Sequence, residues 1–444
     1  MKVRQFTYRF ILALVALTSV VACIEELEIE TLADEDEQGI LVVDAVLTNQ
    51  LETQKVYLSR SDIRLDLETD TVYHPSVPFG IKPYDSVNVE TGATLRVVGS
   101  NGDQFSFFEG RGGEYLSNTQ FALQYGVDYT LEITTSNGVE YESDPLLVEG
   151  TSEITGLYAE KSVNDAGEEG VAIYADSDPS QGNTSYYRYS YDETYKIVAP
   201  YWSEREFVLT NYDPCALPVP TYDLQIVERT SENQVCYNTI PSNVIDQFST
   251  AGSPDTGISR KLVRFITRDN FILAHRYSIL LKQYVQSPEA YSYFEVLKTL
   301  SGSESIFSQV QPGSIYANVH RKDGSSENVL GYVEAVGVSE QRLFFNFEDF
   351  FPGEEDSRPY AFNCYLASSP ESHRSYCDNS PGGGSSCPQS VIEQVNLELI
   401  EFYDEFREDY GVESSCPGPY IFTPRICGDC TTLGDSVKPD FWVD

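Results

Sequence analysis

Positive charge is scarce in this chain: of 444 residues, 29 are lysine or arginine against 69 aspartate or glutamate, a formal net charge of −40. That balance argues against a nucleic-acid partner, whose phosphates are neutralised by Lys and Arg. It argues equally against lying flat on an anionic lipid face. Histidine is nearly absent too, with only His74, His275, His320 and His373 scattered along the chain. An activated nucleophile needs a base within hydrogen-bond reach, and zinc needs ligands at close spacing. Neither pattern is present, nor is a G-x-S-x-G elbow, a phosphate loop or H-E-x-x-H. Carboxylates are so numerous that a paired-acid hydrolase stays open by counting, yet no pair stands out. Cysteine is missing between residues 24 and 214, so that part must be held by packing alone. After residue 22 no apolar run reaches the roughly 20 residues a spanning helix needs. The expectation is a chain with no catalytic residue, no cofactor and no metal site.

What is present begins at the N-terminus. Lys2, Arg4 and Arg9 form a basic lead, and Phe10 to Val21 is an apolar core ending in Val20-Val21-Ala22-Cys23. The apolar core suits the h-region of an export signal. The small or β-branched residues before Cys23 resemble a bacterial lipobox, which implies cleavage after residue 22 and acylation of Cys23. An ordinary signal peptide with a chance cysteine is the alternative. One acyl chain holds a protein only marginally, at about 0.8 kcal/mol per buried CH₂; a lipoprotein cysteine usually carries more than one. Loss of the signal's three cations takes the net charge to about −43. Residues 23–38 then read as an acidic, solvated tether. Within it Asp34-Glu35-Asp36-Glu37 lacks the glycine turn and distal glutamate of an EF-hand loop. The acids behind Cys23 resemble a surface-export signal, which implies display on the cell exterior.

Setting Cys23 aside leaves eight cysteines: Cys215, Cys236, Cys364, Cys377, Cys387, Cys416, Cys427 and Cys430. An even number in an exported chain favours disulfides, and these allow on the order of 100 pairings. Cys215 with Cys236 is the expected local bridge, and the other six are expected to staple the tail. Cys427-Gly428-Asp429-Cys430 sits in a loop-like tail rather than at a helix N-terminus after a strand, which disfavours redox exchange.

Short alternating runs dominate the rest. Strands are expected at 39–49, 55–60, 93–98, 104–109, from 112–115 onward, 129–135 and 139–142, with Asn101-Gly102 and Asn137-Gly138 as hairpin turns. Residues 39–147 thus form a β-sandwich, with a polar excursion over 71–85. A linker over 148–153 leads to a second β-rich region, 154–360. Its strands are expected at 154–159, 170–174, 186–199, 261–266, 271–285, 314–320, 329–337 and 343–347, with 204–260 as a polar insertion. One helix is expected over 288–300, with Ser287 as cap and Pro288 in the first turn. Residues 361–444 form a cysteine-rich tail packed on the second region. Tyrosine, 31 residues against 2 Trp, suits sheet packing or contact surfaces. Candidate partner contacts are Tyr201, Trp202, Tyr291 and Phe294. His275, among apolar neighbours, reads as a structural histidine.

GGEYLSN, YGVDYTLEITTSNGVEYESDP, YYRYSYDETYKIVAPY, LLKQYVQSPEAYSYFEVLKTLSG, SIFSQVQPGSIYANV, LGYVEAVGVSEQRLFF and CGDCTTLGDSVKPDFW follow one another in the order of a known family. The chain resembles the DUF4249 lipoproteins of Bacteroidota. The resemblance implies a mainly β protein whose first sandwich is Ig-like or transthyretin-like. It also implies a non-enzymatic outer-membrane lipoprotein, partner or accessory to a TonB-dependent transporter in nutrient or peptide capture. A structural or assembly subunit of an outer-membrane complex is the alternative, with a glycan-binding or glycan-active protein behind it.

Overall fold

The computed structural model describes residues 39–61, 88–214, 216, 219, 221–253, 257–302, 317–325, 329–354, 358–372, 389–407, 410, 412 and 416–444. Residues 1–38 with Cys23, the 71–85 excursion, Cys215, Cys377 and Cys387 lie outside the described residues.

The first half is built from eight short strands. They are β1 (Leu41–Thr48), β2 (Lys55–Arg60), β3 (Asn88–Val89), β4 (Thr94–Gly99), β5 (Gln104–Glu109), β6 (Glu114–Ser117), β7 (Tyr129–Thr134) and β8 (Glu140–Ser143). Alternate residues point the same way in a strand. Leu41, Val43, Ala45 and Leu47 of β1 therefore bury together with Val56 and Leu58 of β2. Leu95 and Val97 of β4 and Tyr129, Leu131 and Ile133 of β7 join the same core, giving a sandwich-like arrangement. Both Asn-Gly pairs sit at the expected turns, between β4 and β5 and between β7 and β8.

The second half adds β9 (Gly150–Val163), β10 (Glu169–Gly182), β11 (Tyr186–Val198), β12 (Arg205–Asp213), β13 (Thr221–Glu228), β14 (Val235–Pro241), β15 (Asp246–Ser249), β16 (Ile258–Thr267) and β17 (Tyr277–Val285). The helix α1 (Pro288–Gly302), β18 (Val319–Arg321) and β19 (Leu330–Phe345) follow. A three-stranded sheet, β16-β10-β9, supplies Val171, Ile173 and Ile266 to a second core with Tyr187, Tyr189, Ile197, Tyr277, Ile279 and Leu281 of β11 and β17. Two of its buried tyrosines find polar partners, as buried hydroxyls usually do, whereas the buried Tyr187 hydroxyl has none among the described residues. Tyr277 Oη donates to Glu193 Oε2 at 2.9 Å, and Gln283 Nε2 donates to Tyr189 Oη at 2.8 Å.

One strand joins the halves. Val42 to Thr48 of β1 run parallel to Leu330 to Val336 of β19, and the rest of β19, Gly337 to Phe345, pairs antiparallel with β17. The result is a 14-stranded sheet in the order β14-β11-β17-β19-β1-β2-β6-β5-β4-β7-β8-β18, with β3 and β15 attached beside it. Two glycines permit the join. Gly331 has φ +88°, and a Cβ there would stand 2.0 Å from the Val43 carbonyl oxygen. At Gly337, where β19 changes partner, a Cβ would stand 2.1 Å from the Gly150 carbonyl oxygen.

Several expectations are corrected. Residues 150–153, read as linker, already belong to β9, where they pair with the end of β10. Phe271–Leu273 form a 3₁₀ turn rather than strand, because the Asn270 side chain accepts from Ile272 N and caps it. The two strands expected at 329–337 and 343–347 are one strand, Leu330–Phe345, and Phe347 opens a 3₁₀ turn instead. The polar stretch 204–260 carries β12 to β15. Among the described residues of 314–320, strand is confined to the last two.

The C-terminal segment contributes α2 (Val391–Asn396), β20 (Ile400–Glu405) and β21 (Tyr420–Pro424). Phe207 of the β12–β13 hairpin meets Phe402 of β20 edge to face at 5.2 Å. Cys236 pairs with Cys430, not with Cys215. The reason is a chain crossing: Tyr237 and Asp435 exchange backbone hydrogen bonds at 2.8 Å, which sets the Cys236 and Cys430 Cα atoms 5.6 Å apart, within disulfide reach. Cys364 pairs with Cys427, so the two cysteines of the C-x-x-C motif face different partners. Cys416 is disulfide-bonded as well. No helix among the described residues is long and apolar enough to cross a membrane.

Candidate functional site: a cavity under the first helix

α1 starts where the sequence predicts. Ser287 Oγ accepts from Ala290 N at 3.1 Å, and Pro288 opens the first turn. Its aromatic side chains lie on the sheet. Tyr291 packs on Tyr186 of β11 at 4.9 Å and Tyr293 on Tyr332 of β19 at 4.8 Å. The Phe294 ring sits 4.9 Å from the Arg188 guanidinium, which also lies 4.5 Å from the Tyr284 ring.

Beneath this helix a charge is buried with its partners. Glu334 of β19 is 2% exposed. Arg188 Nη2 donates to its Oε2 at 2.5 Å and Gln286 Nε2 to its Oε1 at 2.6 Å. Such a carboxylate is tolerated only when paired and hydrogen-bonded. Asp44 of β1 stands one strand away, opposite Tyr332 in the ladder. It keeps surface open to water, yet the atoms crowding its carboxyl, and then the Glu334 charge, raise its pKa, with Arg188 opposing.

A cavity of about 420 Å³ lies where the first turn of α1, the 144–149 segment after β8, and residues 332–336 of β19 meet. Tyr293 and Tyr332 form an aromatic wall, with Val296 and Ala335 beside them. Its charged lining is of one sign: Asp144, Glu149, Glu289 and Glu334, with no lysine, arginine or histidine. Burial, and then the Glu289 charge, raise the pKa of Glu149. Neither Glu149 nor Glu289 has an ion-pair partner among the described residues, whereas Glu334 has Arg188 and Asp144 lies 3.6 Å from His320. The Tyr332 hydroxyl is pushed up to about 12, first by burial and also by Glu289, Glu334 and Asp144, against a hydrogen bond with Ser287.

Tyr291 and Phe294 thus belong to the helix that roofs the cavity. Tyr201 and Trp202 lie elsewhere: Tyr201 N donates to the Cys427 carbonyl at 3.0 Å and its ring meets Tyr403 edge to face at 5.6 Å, while Trp202 packs on the second core. The structure does not bring the two aromatic pairs together. Sequence reasoning missed Tyr293, Tyr332 and the acids. The available signal was a lone acid inside an apolar strand, Asp44 in LVVDAVLT and Glu334 in YVEAV. His275 is half-buried, 3.4 Å from Arg358, and its pKa falls to about 4, chiefly by burial and then by Arg358 and Lys196. Two further recesses, about 430 Å³ beside β12 and α2 and about 340 Å³ beside Asp44, carry mixed charge. Among the described residues no group of three or more His, Cys, Asp or Glu is placed to hold a metal ion.

The family model described as Domain of unknown function (DUF4249) matches residues 24–342, a span that holds α1 and every residue lining the cavity. The resemblance noted for Cys427 to Trp442 lies beyond that match. No curated protein matches the chain.

Proposed function

The chain belongs to the DUF4249 family, and on that premise we propose that it is a non-enzymatic, lipid-anchored lipoprotein of the outer membrane, facing the cell exterior, that captures a small nutrient or peptide as partner of a TonB-dependent transporter. Acylation at Cys23 holds the protein beside its channel and raises its effective concentration there. The first sandwich serves as an Ig-like or transthyretin-like module. The observation that carries the reading is the cavity under α1. Its volume falls within the roughly 300–1,000 Å³ of small-molecule sites. Two tyrosine rings wall it, and its lining sets no histidine, lysine or cysteine beside Ser287 or Ser292. That chemistry suits holding a ligand rather than activating a hydroxyl nucleophile.

The test is a pull-down of the native protein from detergent-solubilised outer membrane, read by mass spectrometry, with intact-mass analysis of the same material. Recovery of a TonB-dependent barrel and an acylated first residue at Cys23 is the expected result. Recovery of other envelope proteins without a barrel would favour an assembly subunit, and an unmodified start would remove the anchor on which the reading stands.

A further inference from the structure

We propose that the cavity under α1 takes an organic cation: an ammonium or guanidinium head on an apolar body of amino-acid to dipeptide size, its head held between Glu149 and Glu289 and its body laid on Tyr293 and Tyr332. The inference rests on the capture reading above and names the ligand class.

Three independent features converge. The first is space: about 420 Å³ lies open where three chain segments meet. The second is the wall. Tyr293 and Tyr332 stand 4.8 Å apart with their planes tilted by 32°, and a tyrosine face attracts a cation within about 6 Å of its centre. The third is charge. Half-buried Glu149 and exposed Glu289 line the same cavity, and neither has an ion-pair partner among the described residues. A fold ordinarily separates or pairs such groups, because like charges in a recess disfavour ionisation. An arriving cation relieves that repulsion.

One term runs the other way. The first turn of α1 faces the cavity through Ser287, Glu289 and Ala290, and a helix N-terminus carries roughly half a positive charge. Ser287 Oγ already takes one of its free N–H groups, and Glu289 occupies the first turn. The half charge is smaller than the full negative charges of Glu149, Glu289 and Asp144, even with Asp144 shared with His320. The net field in the cavity selects cations. Glu334 does not add to it, since Arg188 neutralises it from behind.

The test uses the full-length protein in detergent and isothermal titration with 1,5-diaminopentane, 1,5-pentanediol and glutarate, which share one chain and differ in end-group charge. A lysyl-alanine dipeptide is the second cationic probe and separates a peptide ligand from a free amine. Binding of at least one cationic probe, at least tenfold tighter than the diol and glutarate and weakening as salt is raised, is expected. Glu149→Gln with Glu289→Gln should lose at least tenfold in affinity, while Glu295→Gln, on the same helix but outside the cavity, should change nothing. Equal binding of diamine and diol, or an unchanged double variant, would overturn the inference. So would calcium alone competing as well as the diamine at equal ionic strength. The probe comparison needs no substitution, so it decides the matter even if the double variant fails to fold. A recovered barrel with no amine binding would remove this inference and leave the accessory role; amine binding with no barrel would do the reverse.

Discussion

The Cys236–Cys430 bond is the feature whose removal the structure prices most directly. It closes a loop of 194 residues, and Cys364–Cys427 closes one of 63 inside it. In the chain-entropy description these loops correspond to about 5 and about 4 kcal/mol of denatured-state restriction, upper values because residual structure in the unfolded chain reduces them. Cys236 and Cys430 are both fully buried, so replacing both by serine also leaves two small polar groups to satisfy. The double variant Cys236→Ser, Cys430→Ser should therefore lose about 3–5 kcal/mol. Trp442 packs edge to face on Tyr237 at 5.0 Å, next to the bond, so in a Trp202→Phe background its fluorescence reports on this region during urea unfolding. A transition at lower urea, with Trp442 exposed first, is expected. A variant unfolding within about 1 kcal/mol of the parent would refute the reasoning, because the chain-entropy description assigns a loop of this length several times that. A non-reducing peptide map containing a Cys215–Cys236 peptide would refute the pairing itself.

Arg188→Met leaves Glu334, buried beside Gln286, without its cation and should destabilise by about 3–5 kcal/mol, whereas adding Glu334→Leu should recover most of that; equal urea midpoints for parent and single variant would contradict the buried pair. Gly331→Ala forces a Cβ against the Val43 carbonyl at an unfavourable φ, and a loss of more than about 2 kcal/mol with lower expression is expected; a neutral melt would mean that β1 and β19 are not joined as described. His275, with its pKa depressed to about 4, gives stability that is fully present above the unfolded value of about 6.5 and is lost as pH falls from there to about 4, on the order of 2–3 kcal/mol. Melts of the parent and of His275→Gln across pH 7 to 4 should converge as pH falls, and parallel curves would exclude His275 as the cause.

What the sequence made legible was whatever is local. β2 and β5 fall on the expected residues, and α1 begins at the expected proline, because a period-two run, an Asn-Gly turn or a Ser-Pro cap is decided by a few neighbours. The stretch 204–260 failed for a matching reason. β12 and β13 form a surface hairpin whose sides are exposed or half-buried, so hydrophobic alternation is weak there. In β19 the polar residues Ser339, Glu340, Gln341 and Arg342 look like a break, yet they run on in strand because β17 continues to supply hydrogen bonds. The parallel join of β1 and β19 and the Cys236–Cys430 bond lie hundreds of residues apart in the chain. Nothing local encodes them. The cavity depends on that join, so its lining was out of reach, although Asp44 and Glu334 each announced themselves as a lone acid in an apolar strand.

The position of the cavity also constrains how it can work. One wall, residues 144–149, hangs from the last strands of the first core, and the roof, α1, hangs from the second; β19 is common to both. A ligand bridging Glu149 and Glu289 therefore ties together two groups of residues that otherwise repel each other across the junction. Binding that favours the joined state stabilises it by mass action, about 2.7 kcal/mol at a hundredfold excess over Kd. That amount is comparable to the loss expected from Gly331→Ala, so saturating ligand should offset much of that variant's loss. On the binding proposed above, loading would change the contact between 144–149 and α1, and with it the surface that a partner meets. The coupling requires no motion beyond small changes where 144–149 and α1 approach each other. It is reciprocal: whatever partner prefers the loaded surface must also tighten the hold on the ligand.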